Sequence, residues 1–306
     1  MRWRTRVPVD VASYRRWDGR ARATRLATLS IAATMIRRRL KNRFLRLILF
    51  GVMLGAVGIS SLVYYLALEG KVNLGLGRQA ELLGITDVNL LALLNRGFDG
   101  DIGFWAVLTA ALVGTPLIAE DRRAHALPLY FSRPIGTTDY VLGKALSAAF
   151  FLAMILLLPR VAMYLVDAGF AEKEGQALRQ LPVLLKSLLV GGIGVFLLTS
   201  VALGASSMAD RPAHAALFFL GLMGLSAALG PVLARFLGAS WEALSPYGCI
   251  QRIGVELFDV PDRLLIRTRA SLKELGVGWA WAGVALWSAL GLGLLVVRVR
   301  RVEVVT

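Results

Sequence analysis

Six apolar stretches, each long enough to cross a bilayer, constrain this 306-residue chain more than any other feature. A helix rises about 1.5 Å per residue, so about 20 mostly apolar residues cover the hydrocarbon core. The stretches run at about 47–68 (LILFGVMLGAVGISSLVYYLAL), 102–119 (IGFWAVLTAALVGTPLIA), 145–166 (ALSAAFFLAMILLLPRVAMYLV), 183–208 (VLLKSLLVGGIGVFLLTSVALGASSM), 213–234 (AHAALFFLGLMGLSAALGPVLA) and 277–297 (VGWAWAGVALWSALGLGLLVV). Soluble cores rarely run that far without a charge. The chain is also 57% hydrophobic and only 18% charged, where soluble domains average about 45–50% and 25%. It reads as an all-α integral membrane protein with six transmembrane helices. Glycines and prolines inside the stretches are tolerated in lipid-embedded helices.

The formal net charge of +15 would suit a polyanion binder, but its distribution points elsewhere. Fourteen of the 35 Lys and Arg residues fall in the first 46 positions, against Asp10 and Asp18 alone. That is a juxtamembrane basic block, so nucleic acid is not an expected partner. With the N-terminus inside, cytoplasmic segments hold 22 basic residues and outer loops hold 10. The bias predicts both ends in the cytoplasm. Residues 1–43, 120–143, 209–212 and 298–306 are then cytoplasmic, and positions 90 and 265 lie outside. The organisation is a basic N-terminal segment at 1–46, a transmembrane domain at 47–297 and a tail at 298–306. Cys249 is the only cysteine, which excludes an intrachain disulfide. The first 20 residues contain no apolar signal-peptide core.

Before the first span, Leu26, Leu29, Ala33, Ile36 and Leu40 recur at helical spacing, while Arg38, Arg39 and Lys41 lie off that face. Ile31 and Met35 fall on the other side. Two readings fit: an amphipathic helix in the membrane interface, or the polar start of a long first span. Two loops, 69–101 and 235–276, are too long to be turns. The second opens on FLGASWEALSPYGCIQRIGVELF, which suits short helices dipping into the outer leaflet against protein.

The most distinctive stretch is AEDRRAHALPLYFSRPIGTTDYVLGK, at 119–144. Glu120, Asp121, Arg122 and Arg123 follow a span directly. Leu127, Leu129, Tyr130 and Phe131 are apolar, and Ser132, Arg133 and Pro134 interrupt them. Pro134 biases Arg133 towards an extended backbone, so a helix should end there. Asp139 suits the N-terminus of the third span. The stretch fits either a short helix that docks into a soluble partner or a solvated loop with snorkelling side chains. Glu120 has two kinds of partner open to it: Arg122 or Arg123, or a basic residue of the interfacial helix. Deeper in the spans, Arg160, Lys186 and Arg235 fall near one outer level. They could contact an anionic substrate or lipid head groups, or snorkel to phosphates. Arg160 follows Pro159, where a kink is expected. His125 and His214 have no partners at ligand spacing and read as structural or surface residues. The small residues of the fourth span (Gly191, Gly192, Gly194, Gly204, Ala205, Ser206 and Ser207) suggest close helix packing. Tyr64, Tyr65, Trp105, Trp279 and Trp281 read as interfacial anchors, with Trp287 deeper and packed.

These residues carry a resemblance. Glu120 at the end of the second span, the run Leu127 to Phe131, the phrase Ser132-Arg133-Pro134 and Gly143-Lys144 before the third span resemble the signature region of ABC-2 type permeases of ABC transporters. The phrase YRRWDGR at 14–20, the interfacial helix, six spans and a long fifth-to-sixth loop are similar to that family's plan. The resemblance implies an ABC-2 type exporter fold in a prokaryotic cytoplasmic membrane, with two permease copies, most simply a homodimer. Each copy would engage a separate P-loop subunit that binds ATP and Mg2+. Glu120, Arg122, Arg123, Leu127, Leu129, Tyr130, Phe131, Arg133, Pro134 and Lys144 would form the coupling surface. The chain itself has no GxxxxGK[ST] loop. No cofactor, metal site or catalytic group is expected in it. Two other classes stay open: a membrane subunit that recruits soluble machinery without transport, and a membrane-embedded lipid-modifying enzyme.

Overall fold

The computed structural model describes residues 25–59, 103–124, 126, 136–169, 175–258, 272 and 274–303. Every regular element among them is helical. In chain order they are α1 (Arg25–Leu40), α2 (Arg43–Met53) continued by a π-helical turn at Leu54–Ile59, α3 (Gly103–Arg123), α4 (Thr137–Leu156), α5 (Leu158–Gly169), α6 (Gln176–Met208), α7 (Pro212–Leu237), a 3-10 turn at Ala239–Leu244, α8 (Pro246–Phe258) and α9 (Val277–Glu303). Among the described residues, five stretches are long and apolar enough to cross a membrane: Gly103–Arg123, Thr137–Val166, Ala177–Met208, Pro212–Leu237 and Val277–Val299. The described part of the protein is all-α and has the build of a multi-pass membrane protein. The expected first span, 47–68, is described only through Ile59.

Each break in the helices has a local cause. The backbone turns extended at Asn42 (φ −71°, ψ 115°), and the Asn42 side-chain oxygen accepts the Phe44 N–H at 3.0 Å. This cap starts α2 afresh, so α1 is a separate helix and not the beginning of a long span. In α3, Pro116 has no N–H to give the ladder. The turn before it, Ala110–Gly114, widens to π geometry, and the Thr115 N–H reaches Ala110 O five residues back at 3.1 Å. Pro159 likewise has no N–H to give, and the third span breaks just before it, at Leu157, into α4 and α5.

α6 is the central post, with α3, α4, α5, α7, α8 and α9 all packed against it. Its closest neighbour is α9. A Cβ on Gly204 would lie 2.6 Å from Gly291 O, and one on Gly291 would overlap the Ser200 backbone. Two backbones touch here, which only glycine permits. The expected packing role of the small residues therefore falls within the chain for Gly204, Ala205, Ser206 and Ser207, all buried.

The 3-10 turn and α8 do not lie over the bundle but fold back into it. Trp287, ten residues into α9 and about 15 Å along it, donates its indole N–H to Leu244 O at 3.2 Å. Cys249 and Ile253 belong to the main apolar core. Gly230 on α7 and Gly283 on α9 leave the space for this segment. Trp105, Trp279 and Trp281 are exposed, as anchors would be, and Trp287 is buried.

Two boundaries differ from the sequence reading. The third span starts at Thr137 rather than 145, so Asp139 and Lys144 lie inside a helix. Both charges are satisfied there, and hydropathy has no means of seeing that. The buried face of α1 is also rotated from the expected stripe. Leu29 and Ala33 are exposed, while Thr28, Ile31, Ala32 and Met35 turn inward with Ile36 and Leu40. The reason is Gly143 on α4, whose missing side chain opens a groove that Ile31 fills.

Candidate functional site

The last turn of α3 (Glu120, Asp121, Arg122 and Arg123) leaves the bundle where the distinctive 125–135 segment begins. Its helix begins with a debt of unpaired N–H groups, because the π turn and Pro116 interrupt the ladder above it. The debt is met across the bundle: Ser206 on α6 accepts from the N–H groups of Ile118 and Ala119, at 3.0 and 3.1 Å. One buried hydroxyl thereby caps the lower half of α3.

Each charge of that last turn then reaches a different element. Glu120 pairs with Arg39 of α1 at 2.8 Å, the second of the two kinds of partner open to it. Asp121 turns inward. One of its carboxylate oxygens pairs with Lys144 Nζ at 2.7 Å and accepts the Tyr140 hydroxyl at 2.7 Å, both from α4. Arg122 pairs with Asp210 at 2.6 Å and donates to Ser207 O, at the turn between α6 and α7. Arg123 is exposed. Arg122, Arg123, Asp210 and Arg211 line an open cleft of about 780 Å³.

Lys144 is buried, at 1% exposure, and Tyr140 beside it is at 0%. The ammonium also donates to Leu117 O at 2.9 Å and touches Met35 Sδ of α1 at 3.8 Å. It is spent inside the protein, holding α3 to α4, and does not project towards a partner. A buried ion pair of this kind is held by geometry: each charge is costly alone and tolerable only with the other. Asp139, in the first turn of α4, accepts the Thr28 hydroxyl at 3.0 Å and the Gly136 N–H at 3.3 Å. Gly136 has no side chain to return the bond, so only one half of a capping box forms. α1 is thus pinned at two points, through Thr28 and Arg39.

Leu127, Leu129, Tyr130, Phe131, Arg133 and Pro134, with His125, lie outside the described residues. At the other end of the bundle, Arg160, Lys186 and Arg235 do not converge. Arg160 is buried and donates to Leu156 O, a carbonyl of the last turn of α4. Its guanidinium lies against Gly191, and with Gly103, Gly194, Leu198 and Tyr247 it lines a small cavity of about 50 Å³. That is room for a few water molecules. Lys186 is half-buried, Arg235 is exposed, and neither lines the cavity.

Sequence reasoning missed three residues. Asp121 is the acceptor around which the buried cluster forms. Ser206 counted only as a small residue. Glu242 is fully buried in the 3-10 turn, with its Oε1 about a side-chain contact (3.1 Å) from where a Cβ on Gly248 would sit. A lone carboxylate inside FLGASWEALSP was a visible signal for the last. Among the described residues, no three His, Cys, Asp or Glu side chains gather as a metal site would require. The arrangement ties three spans and α1 together where the chain exits. No family model and no curated protein matches this chain.

Proposed function

We propose that this chain is the permease subunit of an ATP-binding cassette transporter of the ABC-2 type, acting in export. In this reading it has six spans, the first of them completed by residues after Ile59, and both ends in the cytoplasm. It pairs with a second copy of itself in the cell membrane, and a separate P-loop subunit binds ATP and Mg2+. The observation that supports it best is the junction at Glu120–Arg123. A docking segment at 125–135 needs a rigid root if a push on it is to reach the spans. Here each residue from Glu120 to Arg122 is anchored to a different element: α1, α4 and the α6–α7 turn. Arg123 and the neighbouring cleft stay open on the same side.

The test is to isolate the protein with its partners from membranes in mild detergent. A P-loop ATPase in equal amount, with hydrolysis that depends on this chain, is the expected result. Arg39→Gln should leave that partner bound and lower transport-linked hydrolysis, because it loosens α1 and leaves the 125–135 segment intact. Recovery of the chain with no ATP-binding protein, from membranes where it is abundant, would sink the reading.

A further inference from the structure

We propose that the elbow between α1 and α2 is a binding site for the headgroups of anionic phospholipids. Arg37, Arg38, Lys41, Arg43 and Arg46 are all exposed within ten residues. Residues 25–59 contain no Asp or Glu. Among the described residues, only Arg39 of this stretch has an ion-pair partner, the Glu120 carboxylate, and it points the opposite way, into the protein. Five cations therefore stand together with no counter-charge from the described residues.

Their position selects the occupant. Past Arg46 the outward face of α2 is apolar: Leu47, Phe50 and Leu54, with Phe44 before them, are each more than 60% exposed. Their opposite numbers Leu45, Leu49 and Val52 are buried. Side chains that large face acyl chains. The boundary between headgroup and hydrocarbon then crosses the chain at Lys41–Arg46, where the cations stand. On α1, exposed Leu29 lies beside the basic face and can enter the same layer. A cluster of four to eight Lys and Arg at the end of a span is the size that recognises acidic lipid surfaces. Arginine forks fit phosphate oxygens in pairs. The five charges extend over three helical turns and the elbow, which matches several headgroups side by side better than one small anion. The bend at Asn42 holds the two basic runs on either side of it, so the site is built by the same cap that starts α2.

The experiment uses the full-length protein in nanodiscs of phosphatidylcholine mixed with phosphatidylglycerol, and counts by native mass spectrometry the lipids that stay bound. Wild type should retain phosphatidylglycerol over phosphatidylcholine, and the preference should shrink as salt is raised. The triple variant Arg37→Gln/Arg38→Gln/Lys41→Gln should lose about a hundred-fold in that preference, since each cation near an anionic surface is worth about five-fold. Arg37→Lys/Arg38→Lys should keep it. Lys186→Gln/Arg235→Gln, at the other end of the bundle, should also keep it. A wild-type protein that shows no lipid preference would overturn the proposal and leave an acidic protein as the occupant. Equal retention by the triple variant, or loss in the lysine variant, would overturn it too. The salt series on wild type decides the matter even if the triple variant fails to reach the membrane.

Discussion

The fourth and fifth spans, α6 and α7, have nearly the same mean hydropathy, 2.2 and 2.0, yet 72% of the apolar window of α6 is buried inside the protein and only 22% of that of α7. Both carry glycines. On α6, Gly204 lies against the α9 backbone and Gly191 against Arg160; on α7, Gly221 and Gly224 have open space where a side chain would go. Both carry a buried serine. Ser206 of α6 caps another helix, while Ser226 of α7 bonds back to Met223 of its own. Hydropathy thus measures what the bilayer requires, which is the same for a post and for a rim. The packing role is written in which small and polar positions face a neighbour.

Changes at the centre should cost most. Lys144→Met leaves Asp121 as a buried carboxylate without its cation, and should destabilise by about 3–5 kcal/mol. Adding Asp121→Leu to it should recover much of that loss. Thermal unfolding of the purified protein in detergent gives both numbers. If the double variant is no better than the single one, the pair is not coupled and the centre is held by packing alone. Gly204→Val comes next, at about 3 kcal/mol or somewhat less, because α6 and α9 must move apart. Its rim counterpart Gly221→Val should be nearly silent, and equal losses at both sites would erase the contrast between the two spans. Ser206→Ala leaves two buried N–H groups unpaired and should cost about 1–3 kcal/mol. Ser226→Ala removes only a bond within one turn, so its shift in the same assay should be clearly smaller. The smallest effect has the opposite sign. Gly224→Ala should stabilise by up to about 1 kcal/mol, the helix preference of alanine over glycine. A loss there would mean that α7 meets a partner on its open face.

Much of this plan could be read from the chain itself. Apolar windows located the five spans described in full, because the length requirement acts on each window separately. Pro159 announced its break, and Asp139 its place in the first turn of α4. Trp287 stood too deep for an anchor. What escaped were the interactions between residues far apart in the chain. Lys144 looked like a boundary because a charge lowers any local average. Only Asp121, 23 positions away and on another helix, makes it an interior residue. The α1 stripe was misjudged for the same kind of reason: Gly143 decides which face docks, and it belongs to α4. Ser206 gave no local sign that it would cap α3, since the N–H groups that it accepts from belong to Ile118 and Ala119, on another helix, where the π turn and Pro116 interrupt the ladder.

That cap has a mechanical consequence. The lower half of α3 is fastened to α6 by two bonds at Ser206 and, through Arg122, one at Ser207, with a fourth to Asp210 in the turn after α6. Four ties within two helical turns remove the freedom of one rod to roll or slide past the other. The hinge in α3 is the π turn above them, where Thr115 already bonds five residues back. A sideways load on the chain just after Arg123 would therefore not bend the end of α3. It would swing the fastened pair as one lever arm about that turn, and α9, pressed against α6 at Gly204, would be carried with it.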